Sequence, residues 1–212
     1  MQRFRYTRLI PALLILPALG AWMGGWAVTT VDELPDYVEA GKPFRLSYKV
    51  RQHGVELTAS LKGQVEARLG DRRVTTPATA MEHGGYAASI TLPESGSWSI
   101  VIRNGFGDAK TKPFSLRAVA SGSSAAPLAE PTRGERLFVA KGCVTCHVDI
   151  DVGPKLTGRR FDSQYLAQFL ADPKPTANLK PNQSPMPNLG LRGAEISSLV
   201  AFLNSERALS AR

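Results

Sequence analysis

Two cysteines separated by two residues and followed at once by a histidine, Cys143-Val144-Thr145-Cys146-His147, constrain this chain more than any other stretch of it. The pattern is that of covalent haem attachment. Each thiol adds to one vinyl group, the two intervening residues set the sulfurs apart, and His147 is held beneath the iron as an axial ligand. These are the only cysteines, so none is left for a structural disulfide. Two other chemistries use such a pair. A zinc site would need two more Cys or His ligands at short spacing, and the next histidine back is His83. A thioredoxin-like redox pair would follow a buried strand, whereas both flanks here read as helix. One covalently bound haem c is therefore the predicted cofactor.

The 212 residues suit one or two small domains, and the net charge of +8 is substantial. Lysines and arginines are interleaved with acids and form no aromatic-spaced basic stripe, so no nucleic-acid partner is expected. At the N-terminus, Arg3, Arg5 and Arg8 precede an apolar run over residues 9–28, and no further charge appears until Asp32. Twenty residues of helix would span roughly 30 Å, enough for a bilayer. The run predicts a transmembrane anchor with a cytoplasmic N-terminus, placing residues 31–212 in the periplasm. Trp22 and Trp26 stand where an interfacial aromatic belt belongs, and Gly20 and Gly24 form a small-residue face. Cleavage as a signal peptide after the small residues Ala18-Leu19-Gly20 is the competing reading.

Beyond the anchor the apolar period becomes two. Phe44, Leu46, Tyr48 and Val50 alternate with polar residues, as do Val65, Ala67 and Leu69, then Tyr86, Ala88, Ile90 and Leu92, then Trp98, Ile100 and Ile102. A last strand is expected over residues 112–119. Turn residues separate these runs at Gly41-Lys42-Pro43, Gly70-Asp71, Gly84-Gly85 and Asn104-Gly105. The pattern predicts an all-β, Ig-like sandwich over residues 31–120. The stretches Tyr48-Lys-Val-Arg-Gln-His-Gly-Val55, Gly85-Tyr86, Leu92-Pro93 and Gly96-Ser-Trp98 resemble the YtkA-like, FixH-related periplasmic family. That resemblance implies an exported module accompanying respiratory or metal-handling proteins and supplies no catalytic residue. His53, Met81 and His83 are soft ligands that loops could gather around copper, although two of them adjoin glycines in expected loops, where histidine is commonly just solvated. Residues 121–132, small and proline-punctuated, read as a flexible linker.

Residues 133–212 are few for an apolar core to stabilise alone, and a covalent haem would complete it. Helical spacing places Gly134, Leu137, Phe138 and Lys141 on one face. Asp162 is the expected N-cap of a second helix carrying Tyr165, Leu166, Phe169 and Leu170, and a third runs from about Gly193 to Ser205. This region resembles a small class I cytochrome c, through Gly134 and Phe138, Leu199 and Phe202, and Gly153-Pro154-Lys-Leu156-Thr-Gly158. The resemblance implies that the Pro154 carbonyl accepts a hydrogen bond from the second ring nitrogen of His147. Met186 is the only methionine after the haem motif. It lies in Ser184-Pro185-Met186-Pro187, a stiff loop suited to presenting a sixth ligand. Lys174, Lys180 or an open position are the alternatives. Arg159, Arg160 and Tyr165 are candidates for the haem propionates by position alone.

The expected fold class is thus multidomain: a membrane helix over 1–30, an Ig-like sandwich over 31–120, a linker over 121–132, and a small all-α cytochrome c fold around a covalent haem over 133–212. The expected function is not enzymatic. It is single-electron transfer between respiratory or photosynthetic partners such as an oxidase, reductase or reaction centre, with no small-molecule substrate, by a tethered shuttle or a complex subunit. The eleven Lys/Arg and seven Asp/Glu of residues 133–212 favour an acidic docking surface. Two alternatives remain: a haem enzyme or sensor with an open sixth site, and a metal-handling assembly factor acting through the β domain.

Overall fold

The computed structural model describes residues 25–173 and 184–210. Ten strands come first: β1 (Ala27–Val31), β2 (Tyr37–Glu39), β3 (Pro43–Gln52), β4 (Glu56–Leu57), β5 (Gln64–Leu69), β6 (Arg72–Pro77), β7 (Thr79–Ala80), β8 (Gly85–Thr91), β9 (Gly96–Arg103) and β10 (Phe114–Val119). Four α-helices follow: α1 (Glu130–Ala140), α2 (Ser163–Ala171), α3 (Gly193–Leu203) and α4 (Glu206–Ser210). The strands form two five-stranded sheets. One has the order β1-β3-β8-β7 with β4 also on β3, and the other has the order β2-β10-β9-β5-β6. All neighbours are antiparallel except β2 with β10.

Period-two patterning explains the pairing. β3 meets β8 with Leu46 opposite Ala88 and Tyr48 opposite Tyr86. Residues of matching parity therefore point to one face, and the two tyrosine rings stack 5.4 Å apart. Trp98, Ile100 and Ile102 of β9 fill the same core from the second sheet, each without exposed surface. In the helical layer, α1 crosses α3 so closely that a Cβ on Gly134 would lie 1.9 Å from the Ser198 carbonyl oxygen. Phe138 and Phe202 meet beside that crossing, with ring centroids 5.6 Å apart. Asp162 caps α2 by accepting the Tyr165 N–H at 2.7 Å.

The expected fold class requires correction. No helix among the described residues is long and apolar enough to cross a membrane. The end of the expected anchor is strand: Ala27 and Val28 lie in β1, opposite Gln52 and Arg51 of β3. The physical reason is the run Val28-Thr29-Thr30-Val31, whose branched side chains favour an extended backbone. Asn104 reinforces the strand by donating its side-chain amide to Thr29 Oγ1 at 3.0 Å. The membrane localisation inferred from that anchor is corrected with it, and residues 9–24 of the expected helix lie outside the described residues. Nor is there a large, independent all-α domain. The chain is mostly β, and its short helices lie against the sandwich and share one apolar core with it.

The join between the layers is polar and specific. Asp36, just before β2, accepts from Arg133 Nε at 2.8 Å, from Arg136 Nη2 at 3.3 Å and from the Leu128 N–H at 3.0 Å. Residues 121–132 therefore differ from a free linker. Their start bonds to Glu39 through the Gly122 N–H, at 3.2 Å, and their last three residues form the first turn of α1. The Arg133 bond leads the forces that hold the Asp36 carboxyl below its ordinary range, against a burial penalty that raises it.

A depressed folded-state pKa means that Asp36 stabilises the fold above the ordinary aspartate value, near about 4, and that this contribution fades as pH falls through the lowered value. Asp36→Asn should cost about 2 kcal/mol at neutral pH, as expected for loss of charged hydrogen bonds. In urea titrations the gap between wild type and variant should close below about pH 4. A gap independent of pH would show that the carboxylate charge is not what joins the layers.

Candidate functional site

The chain leaves α1 at Ala140 and must turn at once, because Lys141 is 2% exposed and is drawn into the seam with the sandwich. Its Nζ donates to the Asp32 carbonyl at 2.7 Å and pairs with Glu195 Oε1 of α3 at 2.8 Å. Burial pushes the Glu195 carboxyl up, but the Lys141 bond and the Arg192 N–H outweigh it and the net shift is downward. Gly142 follows with φ of 81°, and a Cβ there would stand 2.3 Å from Val28 Cγ1 and 2.7 Å from the Thr29 carbonyl oxygen. Only glycine satisfies both the left-handed backbone and the close approach to β1.

Cys143, Cys146 and His147 come next, the last two within a π-helical turn over Thr145–Asp149. All three are half-buried and line a largely apolar cavity of about 330 Å³. Phe138, Leu166, Leu199 and Leu203 close it from the helices, and Pro154 and Leu156 from the following loop. His147 Nδ1 lies 2.7 Å from the Pro154 carbonyl oxygen. A carbonyl only accepts, so Nδ1 carries the proton and Nε2 is the nitrogen with a free lone pair. Burial lowers the His147 pKa, with the Pro154 bond opposing it, which favours the neutral ring that ligation requires. The loop is held tightly under the imidazole: the Gly153 N–H donates to the Cys146 carbonyl at 3.0 Å, and a Cβ on Gly153 would sit 2.7 Å from Nδ1.

Both cysteines are free thiols. Burial pushes Cys143 up to about 12, with the neighbouring Cys146 adding to the shift, and burial likewise pushes Cys146 up to about 11. The low-pKa thiolate of a dithiol redox pair is the opposite condition. Met186 is half-buried and lines the same cavity. Its loop is braced against the sandwich, where Ser184 Oγ donates to the His53 carbonyl at 2.8 Å. His53 in turn meets Trp26 edge-on, with centroids 5.9 Å apart.

Other expected residues fall elsewhere. Arg159 and Arg160 are exposed and do not line the cavity, whereas Tyr165, 63% exposed, does. Lys174 and Lys180 lie outside the described residues. Met81 of the expected copper set is engaged by the Arg45 guanidinium at 2.6 Å, and no group of three or more His, Cys, Asp or Glu side chains stands together among the described residues.

Sequence patterning missed the wall supplied by the sandwich: Val28, Thr30, Arg51 and Gly54 all line the cavity. Periodicity reports which residues of a strand face inward, not which second layer covers them. The one local signal was Gly142, placed directly before the first cysteine.

No family model matches this chain, and no curated protein matches it. Among solved structures, a "putative glycoside hydrolase" from Bacteroides vulgatus is similar over 42% of this chain and 17% of its own length, at 18% identity and a TM-score of 0.35. A likeness so slight carries no argument. The resemblances to class I cytochrome c and to the YtkA-like family are accordingly corrected. Neither is a family membership that any comparison supports, and the helices do not stand as a cytochrome domain of their own.

Because Gly142 carries the seam into the site, Gly142→Ala should cost about 3 kcal/mol, combining left-handed strain with overpacking. Equilibrium urea unfolding measures the loss. A cost under about 1 kcal/mol, the range of ordinary substitutions, would mean that helices and sandwich are not packed as described.

Proposed function

We propose that this chain is a single-electron carrier whose redox centre is one haem c, bound through Cys143 and Cys146. His147 and Met186, which line the same cavity, would hold its iron. The observation that carries the reading is the imidazole of His147. Its Nδ1–H is committed to Pro154 and its Nε2 is free, at the wall of an apolar cavity that also holds both thiols and Met186. When bound, the haem would supply one-electron Fe(III)/Fe(II) chemistry.

Each residue has a defined task. Cys143 and Cys146 would hold the cofactor, the S–H of each thiol adding across one vinyl group to leave a thioether. Pro154 fixes the His147 tautomer and ring plane and makes the ligating nitrogen more basic. Pro185 and Pro187 restrict the Met186 loop, and Ser184 ties it to the sandwich. The apolar side chains exclude water. The physiological partners in this reading are redox proteins, met through a basic surface, so transfer rates should fall as ionic strength rises.

Carbon monoxide binding to the reduced protein tests the closed sixth position. Wild type should resist the gas, Met186→Ala should bind it readily, and Ser184→Ala should bind it to an intermediate extent because its loop is less restrained. Cys143→Ser/Cys146→Ser should lose covalent haem altogether, read by denaturing mass spectrometry. A wild-type protein that matures without covalent haem would sink the reading. One that carries haem but binds the gas freely would move an enzyme or sensor to the front.

A further inference from the structure

The cavity carries a charge that the proposed axial ligands and thiols leave unexplained. Arg51 of β3 is 8% exposed and lines it, together with Thr30 of β1. Its Nη1 donates to Thr30 Oγ1 at 3.1 Å, the one side-chain hydrogen bond of Arg51 among the described residues. Among the described residues, no carboxylate lies within ion-pair distance of it. The contrast with Arg136 is direct: that guanidinium is as deeply buried and is paired with Asp36. Lys141, the other basic chain at the cavity besides His147, is already matched by Glu195. Among the described residues, no acidic side chain lines the cavity.

An arginine with five donors and a permanent charge, sunk in an apolar wall with one hydroxyl for company, is costly unless an anion meets it. Burial alone pushes the Arg51 pKa down, and only the more distant Asp32 opposes this. A haem bears two propionate side arms, and a guanidinium fork matches a carboxylate in geometry as well as in charge.

We propose that Arg51 is the carboxylate-binding residue of this cavity, supplied by the sandwich and holding a propionate of the attached haem. This rests on the haem reading above. It adds that the β layer is part of the cofactor site and sets the iron's electrostatic environment. The positive charge stabilises the reduced centre relative to the oxidised one, so Arg51 should raise the reduction potential.

The test compares Arg51→Gln and Arg51→Lys in two backgrounds, the haem-carrying protein and the haem-free Cys143→Ser/Cys146→Ser protein. With haem, Arg51→Gln should lower both Tm and midpoint potential, the latter by up to about 59 mV for a tenfold loss in the one-electron equilibrium. Arg51→Lys, which keeps the charge, should retain most of the potential. Without haem, Arg51→Gln should leave Tm unchanged or raise it, because an unpaired buried charge has been removed. Equal Tm losses in both backgrounds, with the potential unmoved, would make Arg51 purely structural and overturn the proposal. So would a Tm difference that appears only with added acetate, since a free anion would then be the occupant. Should Arg51→Gln fail to accumulate, Arg51→Lys is decisive by itself: a Tm loss confined to the haem-carrying protein supports the proposal, and an equal loss in both backgrounds overturns it. Absence of covalent haem from wild type is a separate outcome that defeats the haem reading instead.

Discussion

The buried contact of Lys141 with Glu195 and the Asp32 carbonyl is the constraint on which the site depends. A lysine that is 2% exposed demands a partner for its charge, and its two partners come from different layers: Glu195 from α3, Asp32 from the segment after β1. One ammonium thereby fixes α1 against α3 and both against the sandwich. Gly142, Cys143, Cys146 and His147 follow at one, two, five and six residues, too short a lead for the turn to move independently. Glu195 is further held by Arg192, which reaches Glu33 on the sandwich side, so the same carboxylate sits in a network crossing the seam twice. Such a network is weak as a source of net stability but strong as a device for register, because a displaced layer would strand buried charges.

The grouping of Cys143, Cys146 and His147 was more legible in the sequence than the architecture, because their short spacing alone brings all three to one cavity wall. β3 was equally visible, since Phe44, Leu46, Tyr48 and Val50 alternate over a full strand. β1 was not. Its residues Ala27 to Val31 are all buried, so they show no alternation, and they continue an apolar run that hydropathy reads as a membrane segment. Fully buried strands and spanning helices are alike in composition and differ in partners, and partners are what a single sequence does not display.

The same limit explains the linker and the missing wall. Residues 121–132 have the composition of a flexible tether, yet Asp36, more than eighty residues earlier, takes the Leu128 N–H and two arginines of α1. The polar and small residues there remain compatible with a tether. What overrides that tendency is two carboxylates at β2: Asp36 just before it and Glu39 at its end, which takes the Gly122 N–H. Arg51 was hidden for a similar reason: between Val50 and Gln52 it occupies a polar position of the alternation, and its burial in the cavity wall is a matter of tertiary packing.

These features give the sandwich a role that a spacer would not need. A spacer requires a surface of its own and a hinge, but here the sandwich gives up surface at Val28, Thr30 and Arg51 to wall a cavity belonging mostly to the helices. It also braces the Met186 loop from the far side through the His53 carbonyl. β1 and β3 are hydrogen-bonded along five residue pairs, from Ala27 opposite Gln52 to Val31 opposite Tyr48. The Met186 loop and Arg51 both rest on β3 or the residues just after it, while the helices supply the apolar enclosure. The two layers are thus complementary halves of one site, and neither half contains all the groups that the site uses.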